Sequence, residues 1–245
     1  MHVPDKVFQP TPFELAQHMD HTLLRPAATR EDILAACHQA RDYHFKSVCI
    51  SPCYVPLASA TLQDTPCRVT TVVGFPLGMQ TPATKAMETQ EALAHGAREI
   101  DMVIHLAALK NREYDLVQED IRTIAGLCHQ PPSKPGEPHV LKVIIETCLL
   151  TDEEKRIACD LCVAAGADMV KTSTGFGAFG ATIEDVRLLH GLVAPHGLGV
   201  KASGGIRTLD DALSMLEAGA VRLGTSSGVA IVRELHQRMQ AQRLP

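Results

Sequence analysis

The sequence predicts an α/β fold, a single (β/α)8 (TIM) barrel with a short N-terminal helix, spanning residues 1–245 as one catalytic domain. Three observations carry this. Eight short, β-branched strand-like runs alternate with amphipathic stretches. The joint between helix and strand recurs as Ala165-Gly166-Ala167 and Ala218-Gly219-Ala220, with His95-Gly96-Ala97 close to it. The eight units fill the 245 residues with nothing left over.

In chain order, a proline-rich lead-in gives way to a short helical pattern at 13–19. Strand candidates follow at 21–24, 47–50, 68–73 and 99–104, then at 140–145, 169–172, 199–202 and 221–224. The intervening stretches, such as 30–43, 84–95, 152–165 and 209–218, space apolar residues three and four apart, as an amphipathic helix does. Thr151-Asp152-Glu153-Glu154 and Thr182-Ile183-Glu184-Asp185 read as N-caps with acidic first turns, which satisfy free amides and complement the helix dipole. Gly96, Gly166 and Gly219 mark helix ends. The proline-rich segment 131–138 reads as a loop, too short for a domain boundary. An open, doubly wound sheet is the structural alternative; eight units with no remainder favour closure.

Composition narrows the class. With 45% apolar and 21% charged residues, a sizeable core can be buried. A formal charge of −5 argues against nucleic acid or an anionic membrane as partner, yet leaves room for one local phosphate nest. No apolar run approaches the roughly 18 residues a membrane span needs. The start, Met1-His2-Val3-Pro4-Asp5-Lys6, lacks the apolar centre of a signal peptide. Eight cysteines in a long chain with such a start read as reduced thiols, so a soluble, cytoplasmic protein is expected.

Three of the nine lysines, Lys142, Lys171 and Lys201, fall inside strand candidates. Lysine is depleted in strands and rarely buried without a partner. One alone could snorkel outward past a helix; three together point inward. Asp101, in the middle of Glu99-Ile100-Asp101-Met102-Val103, is the matching anion. A purely structural ion pair is the plainer reading of such an aspartate, and three lysines nearby weigh against it. Like charge and desolvation would leave one lysine a free amine near neutral pH, which a Schiff-base nucleophile requires. Lys171 is the candidate, with Asp101 and Lys201 as its partners. Cys49, near the end of the second strand, is the cysteine expected to face them.

Phosphate signals follow the last two strands. Ser203-Gly204-Gly205-Ile206-Arg207 and Gly224-Thr225-Ser226-Ser227-Gly228 sit where barrels commonly bind phosphate. Gly204, Gly205 and Gly224 let amides approach an anion, Ser226 and Ser227 add hydroxyls, and Arg207 adds charge. Gly175-Phe176-Gly177-Ala178-Phe179-Gly180 spells G-x-G-x-x-G, but the acidic residue a dinucleotide site wants some 20 positions on is missing. The loop is expected to cap the substrate instead, with Gly175 near its phosphate end. The twelve histidines are scattered singly, and Cys159 and Cys162 lie mid-helix, so no metal and no cofactor are expected.

With these residues in place, the chain resembles the deoxyribose-phosphate aldolases, metal-independent class I aldolases. The resemblance runs from Asp20-His21-Thr22-Leu23-Leu24 through Val72-Val73-Gly74-Phe75-Pro76, Glu99-Ile100-Asp101-Met102-Val103, Lys142-Val143-Ile144-Ile145-Glu146-Thr147 and Lys171-Thr172-Ser173-Thr174-Gly175 to the two glycine loops. It implies that Lys171 forms the Schiff base and that Asp101 and Lys201 handle proton transfers. Lys142, Asp20 and Cys49 would support them. It further implies a small sugar phosphate and an aldehyde as partners, and a homodimer. Ser51 and His105 stand where many members carry Asn, and the ending Arg243-Leu244-Pro245 lacks the tyrosine tail some members use. Competing readings are another class I aldolase or a transaldolase acting on a different sugar phosphate, and a non-catalytic sugar-phosphate sensor.

Overall fold

The computed structural model describes residues 9–130 and 138–241. The readings of the first six residues, of nearly all of the 131–138 loop and of the last three residues lie outside the described residues. Eight parallel strands close into a barrel in chain order, so closure, not an open sheet, is the outcome. The strands are β1 Met19–Leu23, β2 Ser47–Ile50, β3 Arg68–Val73, β4 Glu99–Val103, β5 Val140–Ile144, β6 Met169–Lys171, β7 Gly199–Ser203 and β8 Arg222–Thr225. Among the described residues the helices are α1 Pro12–Ala16, α2 Arg30–Asp42, α3 Val55–Leu62, α4 Pro82–Ala94, α5 Leu106–Lys110, α6 Tyr114–Cys128, α7 Asp152–Ala165, α8 Ile183–Val193, α9 Leu209–Glu217 and α10 Gly228–Ala241.

The two faces of each strand do different work. Outward residues such as Val48, Ile100, Met102, Leu141, Val143, Val170, Val200 and Leu223 are fully buried against the helices and form the apolar core. The opposite face of the same strands carries Asp20, Ser47, Thr70, Glu99, Asp101, Lys142, Lys171, Lys201 and Arg222, all buried. A barrel interior is ordinarily filled by branched apolar side chains. Here a connected polar network fills it, which is tolerable only because its members hydrogen-bond one another.

Helix starts follow the capping chemistry read from sequence. Thr151 and Glu154 form a reciprocal capping box at α7, and the Thr182 hydroxyl accepts from the Asp185 amide at α8. Gly166 closes α7 with φ 81°, a left-handed conformation that costs glycine little.

Most strand ends shift by one or two residues, and three differences bear on the site. The N-terminal helix stops at Ala16 rather than near residue 19, because Met19 and Asp20 already belong to β1, paired with Leu223 and Gly224. β8 starts one residue late, since Val221 is exposed and the inward residue is Arg222. The short α5 is an extra helix between β4 and α6; it is capped by His105, whose Nδ1 accepts from the Ala108 amide at 3.2 Å.

Candidate active site

Strand register brings the lysines together. Asp101 is the Cα partner of Lys142, and Lys171 that of Lys201, so four neighbouring strands aim these side chains into one interior. Asp101 Oδ1 accepts from Lys142 Nζ at 2.9 Å. Its Oδ2 accepts from both Lys171 Nζ and Lys201 Nζ, each at 2.7 Å. Asp20 of β1 accepts from Lys201 at 2.5 Å through Oδ2 and from Arg222 at 2.5 Å and Ser47 at 2.7 Å through Oδ1.

Towards the N-terminal end of the barrel lies a layer that the sequence reading did not assign. Glu99 Oε2 stands 2.5 Å from Lys142 Nζ and 2.9 Å from Arg222. Arg68 reaches Glu99 Oε1 from the rim at 3.2 Å, and the Thr70 hydroxyl links Ser47 to Glu99. Glu99 opens its strand, where a charged residue is unremarkable in sequence, and Arg222 opens β8, one residue beyond the start expected for it.

The charges do not balance. Three buried carboxylates (Asp20, Glu99, Asp101) face four buried cations (Lys142, Lys171, Lys201, Arg222). Lys142 has three carboxylates within 3.4 Å, and Lys201 and Arg222 have two each. Lys171 has one, Asp101. Its ammonium is accordingly pushed below the ordinary lysine value by burial, against the pull of Asp101 and with the push of Lys201. Burial also works against the charges on Lys142 and Lys201, but their carboxylates overcome it and hold both above the ordinary value. Burial likewise opposes ionisation of Asp101, and the three lysines outweigh it, so the carboxyl stays ionised. Lys171 is therefore the lysine of this cluster that holds its proton least tightly, beside a carboxylate and an ammonium with two carboxylate partners. Cys49 is fully buried beside this group, and burial raises its thiol above the ordinary value.

The glycine loops gather at the C-terminal ends of β6, β7 and β8. The Ala181 amide donates to the Ser203 and Gly204 carbonyls, stitching the loop after β6 to the loop after β7. Gly175, Gly204 and Gly205 have φ of 87°, 84° and 83°. A Cβ on Gly204 would stand 2.9 Å from Gly180 Cα, so only glycine allows this approach. Gly224 faces inward, where a Cβ would meet Ser203 and Lys201. Ser226 and Ser227 lead into α10, with the Ser227 amide donating to the Thr225 hydroxyl. Arg207 is exposed, and its amide donates to Asp211 at 3.0 Å.

Glu146 is a further residue to which the sequence assigns no role. It is buried, holds φ 52°, and accepts from the Thr174 hydroxyl and amide, fixing the chain just beyond Lys171. Among the described residues no group of three or more His, Cys, Asp or Glu is placed to hold a metal, and Cys159 and Cys162 are buried free thiols.

Comparison with known proteins meets this geometry directly. The model of the DeoC/LacD family aldolases matches residues 15–238. The chain belongs to that family. This aldolase is 50% identical over 222 residues to deoxyribose-phosphate aldolase 1 of Bacillus licheniformis, covering 91% of the chain and 96% of the relative. It is 53% identical over 220 residues to deoxyribose-phosphate aldolase of Halalkalibacterium halodurans, covering 89% and 94%. Its fold superposes with a TM-score of 0.85 on the tetrameric deoxyribose phosphate aldolase of Aeropyrum pernix, at 36% identity and 93% coverage of each chain.

Proposed function

We propose that this aldolase reversibly cleaves 2-deoxy-D-ribose 5-phosphate to acetaldehyde and D-glyceraldehyde 3-phosphate through a Schiff base on Lys171. The observation that carries the reading is the buried Lys171 amine, held by one carboxylate in a cluster whose other cations each have two or more. The relatives named for deoxyribose phosphate supply the substrate.

Lys171 Nζ attacks the C1 aldehyde of the open-chain sugar, and loss of water from the carbinolamine gives an iminium. Asp101, whose Oδ2 is 2.7 Å from both Lys171 Nζ and Lys201 Nζ, moves the protons of these steps together with Lys201. Removal of the C3 hydroxyl proton then breaks C2–C3; the electron pair passes into the iminium, giving an enamine and releasing D-glyceraldehyde 3-phosphate. Protonation at C2 and hydrolysis free acetaldehyde and regenerate Lys171. Lys142 and Asp20 hold Asp101 and Lys201 in place, and Cys49 lines the pocket as a neutral thiol. Gly175, Gly204, Gly205, Gly224, Ser226, Ser227 and Arg207 anchor the phosphate, so binding energy far from the reacting carbons orients them. A cytoplasmic setting and a homodimer complete the reading; among the described residues no helix is long and apolar enough to cross a membrane.

The test is release of acetaldehyde from 2-deoxyribose 5-phosphate by the purified chain, with and without EDTA. Turnover that survives EDTA and disappears in Lys171→Leu is expected. Activity only on another sugar phosphate, or loss with EDTA, would overturn the reading.

A further inference from the structure

Taking Lys171 as the Schiff-base lysine, as proposed above, we propose that Glu99 and Arg222 are positioning residues. From one layer deeper in the barrel they set the charge balance that Lys171 meets, Glu99 favouring its ammonium and Arg222 its free amine.

Geometry gives each a defined lever. Glu99 is the nearest carboxylate to Lys142, at 2.5 Å against 2.9 Å for Asp101 and 3.4 Å for Asp20. While Glu99 occupies Lys142, Asp101 is only partly drawn towards that lysine, and its Oδ2 stays with Lys171 and Lys201. Arg222 spans Asp20 and Glu99, so it consumes negative charge that would otherwise be available to the lysines above. Within the cluster the charged partners of Glu99 and Arg222 are Lys142, Asp20 and one another, so both act on Lys171 through Asp101, Lys142 and Asp20.

The two residues act with opposite sign. Without the Glu99 charge, two carboxylates would face four cations, and a protonated Lys171 would be less tolerable than now. Without the Arg222 charge, three carboxylates would face three cations, and a protonated Lys171 would be balanced. These side chains are buried, so a unit charge is weakly screened there. The remaining charged neighbours are the same in both cases. Arg68 and Lys46 face Glu99 from the rim, and Cys49 faces Lys171 as a thiol that burial keeps neutral.

The experiment traps the imine of Lys171 with acetaldehyde and borohydride across a pH series, in the unsubstituted chain, in Glu99→Gln and in Arg222→Gln. Thermal melts accompany each variant. The pH of half-maximal trapping should fall by at least about one unit in Glu99→Gln and rise by a similar amount in Arg222→Gln. That amounts to about a tenfold change in trapped protein on the acidic limb, in opposite directions. Loss of packing alone would lower trapping at every pH without moving the midpoint. If Arg222→Gln does not fold, Arg68→Gln removes the outer cation on Glu99, and a smaller alkaline shift is expected. Coincident midpoints, or shifts of the same sign, would overturn the role of Glu99 and Arg222 while leaving Lys171 as the nucleophile. Absence of any adduct on Lys171 in the unsubstituted chain would overturn both.

Discussion

Lys171 and Lys201 share one oxygen of Asp101, and that sharing decides how each behaves. Lys201 has Asp20 as a second partner and is held above the ordinary lysine value, whereas Lys171 has none and is pushed below it. Replacing Lys201 by Leu removes a cation from beside Lys171 and leaves that Asp101 oxygen to Lys171 alone. The Lys171 ammonium is then better stabilised and less of it is free amine near neutrality. Lys201→Leu should lower kcat/KM at neutral pH by about 100-fold or more, with part of the loss recovered at higher pH. A pH–rate profile checks this, and full activity near neutrality would contradict it. These residues were legible because a charged residue inside an apolar strand is conspicuous. Glu99 was not, since the first position of a strand is an ordinary place for charge, and neither was Arg222, a lone arginine near the start of the 221–224 candidate. Lys85 escaped for a related reason: charge on an amphipathic helix attracts no notice, yet its Nζ is fully buried, 2.6 Å from Asp120 of α6 and 3.0 Å from the Val103 carbonyl at the end of β4.

Elements were legible in proportion to how local their signals are. β2 and β3 fall where alternation and β-branching put them, and α7 runs from its threonine cap to its glycine stop. The end of α1 differs because the helical pattern of 13–19 runs up to the first strand, whose Asp20 is drawn into the barrel by Lys201 and Arg222. Sequence also could not say how the loops at the barrel mouth touch. The loop after β6 carries the G-x-G-x-x-G run, and its last glycine, Gly180, packs against the Gly204 backbone. A Cβ at Gly180 would collide with that backbone, which cannot swing aside as a flexible side chain would. Gly180→Ala should therefore separate the two loops and raise KM for the phosphorylated sugar about tenfold, with a smaller effect on kcat. Steady-state kinetics on 2-deoxyribose 5-phosphate and on unphosphorylated 2-deoxyribose check this, the latter changing little. An unchanged KM for the phosphate ester would show that the contact does not shape the phosphate site.

At the scale of the molecule, the barrel divides its labour between two interiors. The apolar core between sheet and helices supplies hydrophobic burial, and the polar core inside the sheet holds the charges that a reactive amine needs. Burying those charges is costly, and replacing such networks with apolar residues is often neutral or stabilising, so their presence speaks for chemistry more than for stability. The alternation of eight strands and their helices announced the closed barrel, and the three strand lysines announced the charge cluster buried inside it. What sequence withheld was the unequal sharing of carboxylates, because it depends on register around a closed sheet and not on any local pattern. The most direct measurement is borohydride reduction of the intact chain in the presence of acetaldehyde, followed by peptide mass mapping. One reduced two-carbon adduct, on Lys171, is the predicted result. An adduct on Lys142 or Lys201 instead, or none on any lysine, would contradict the account.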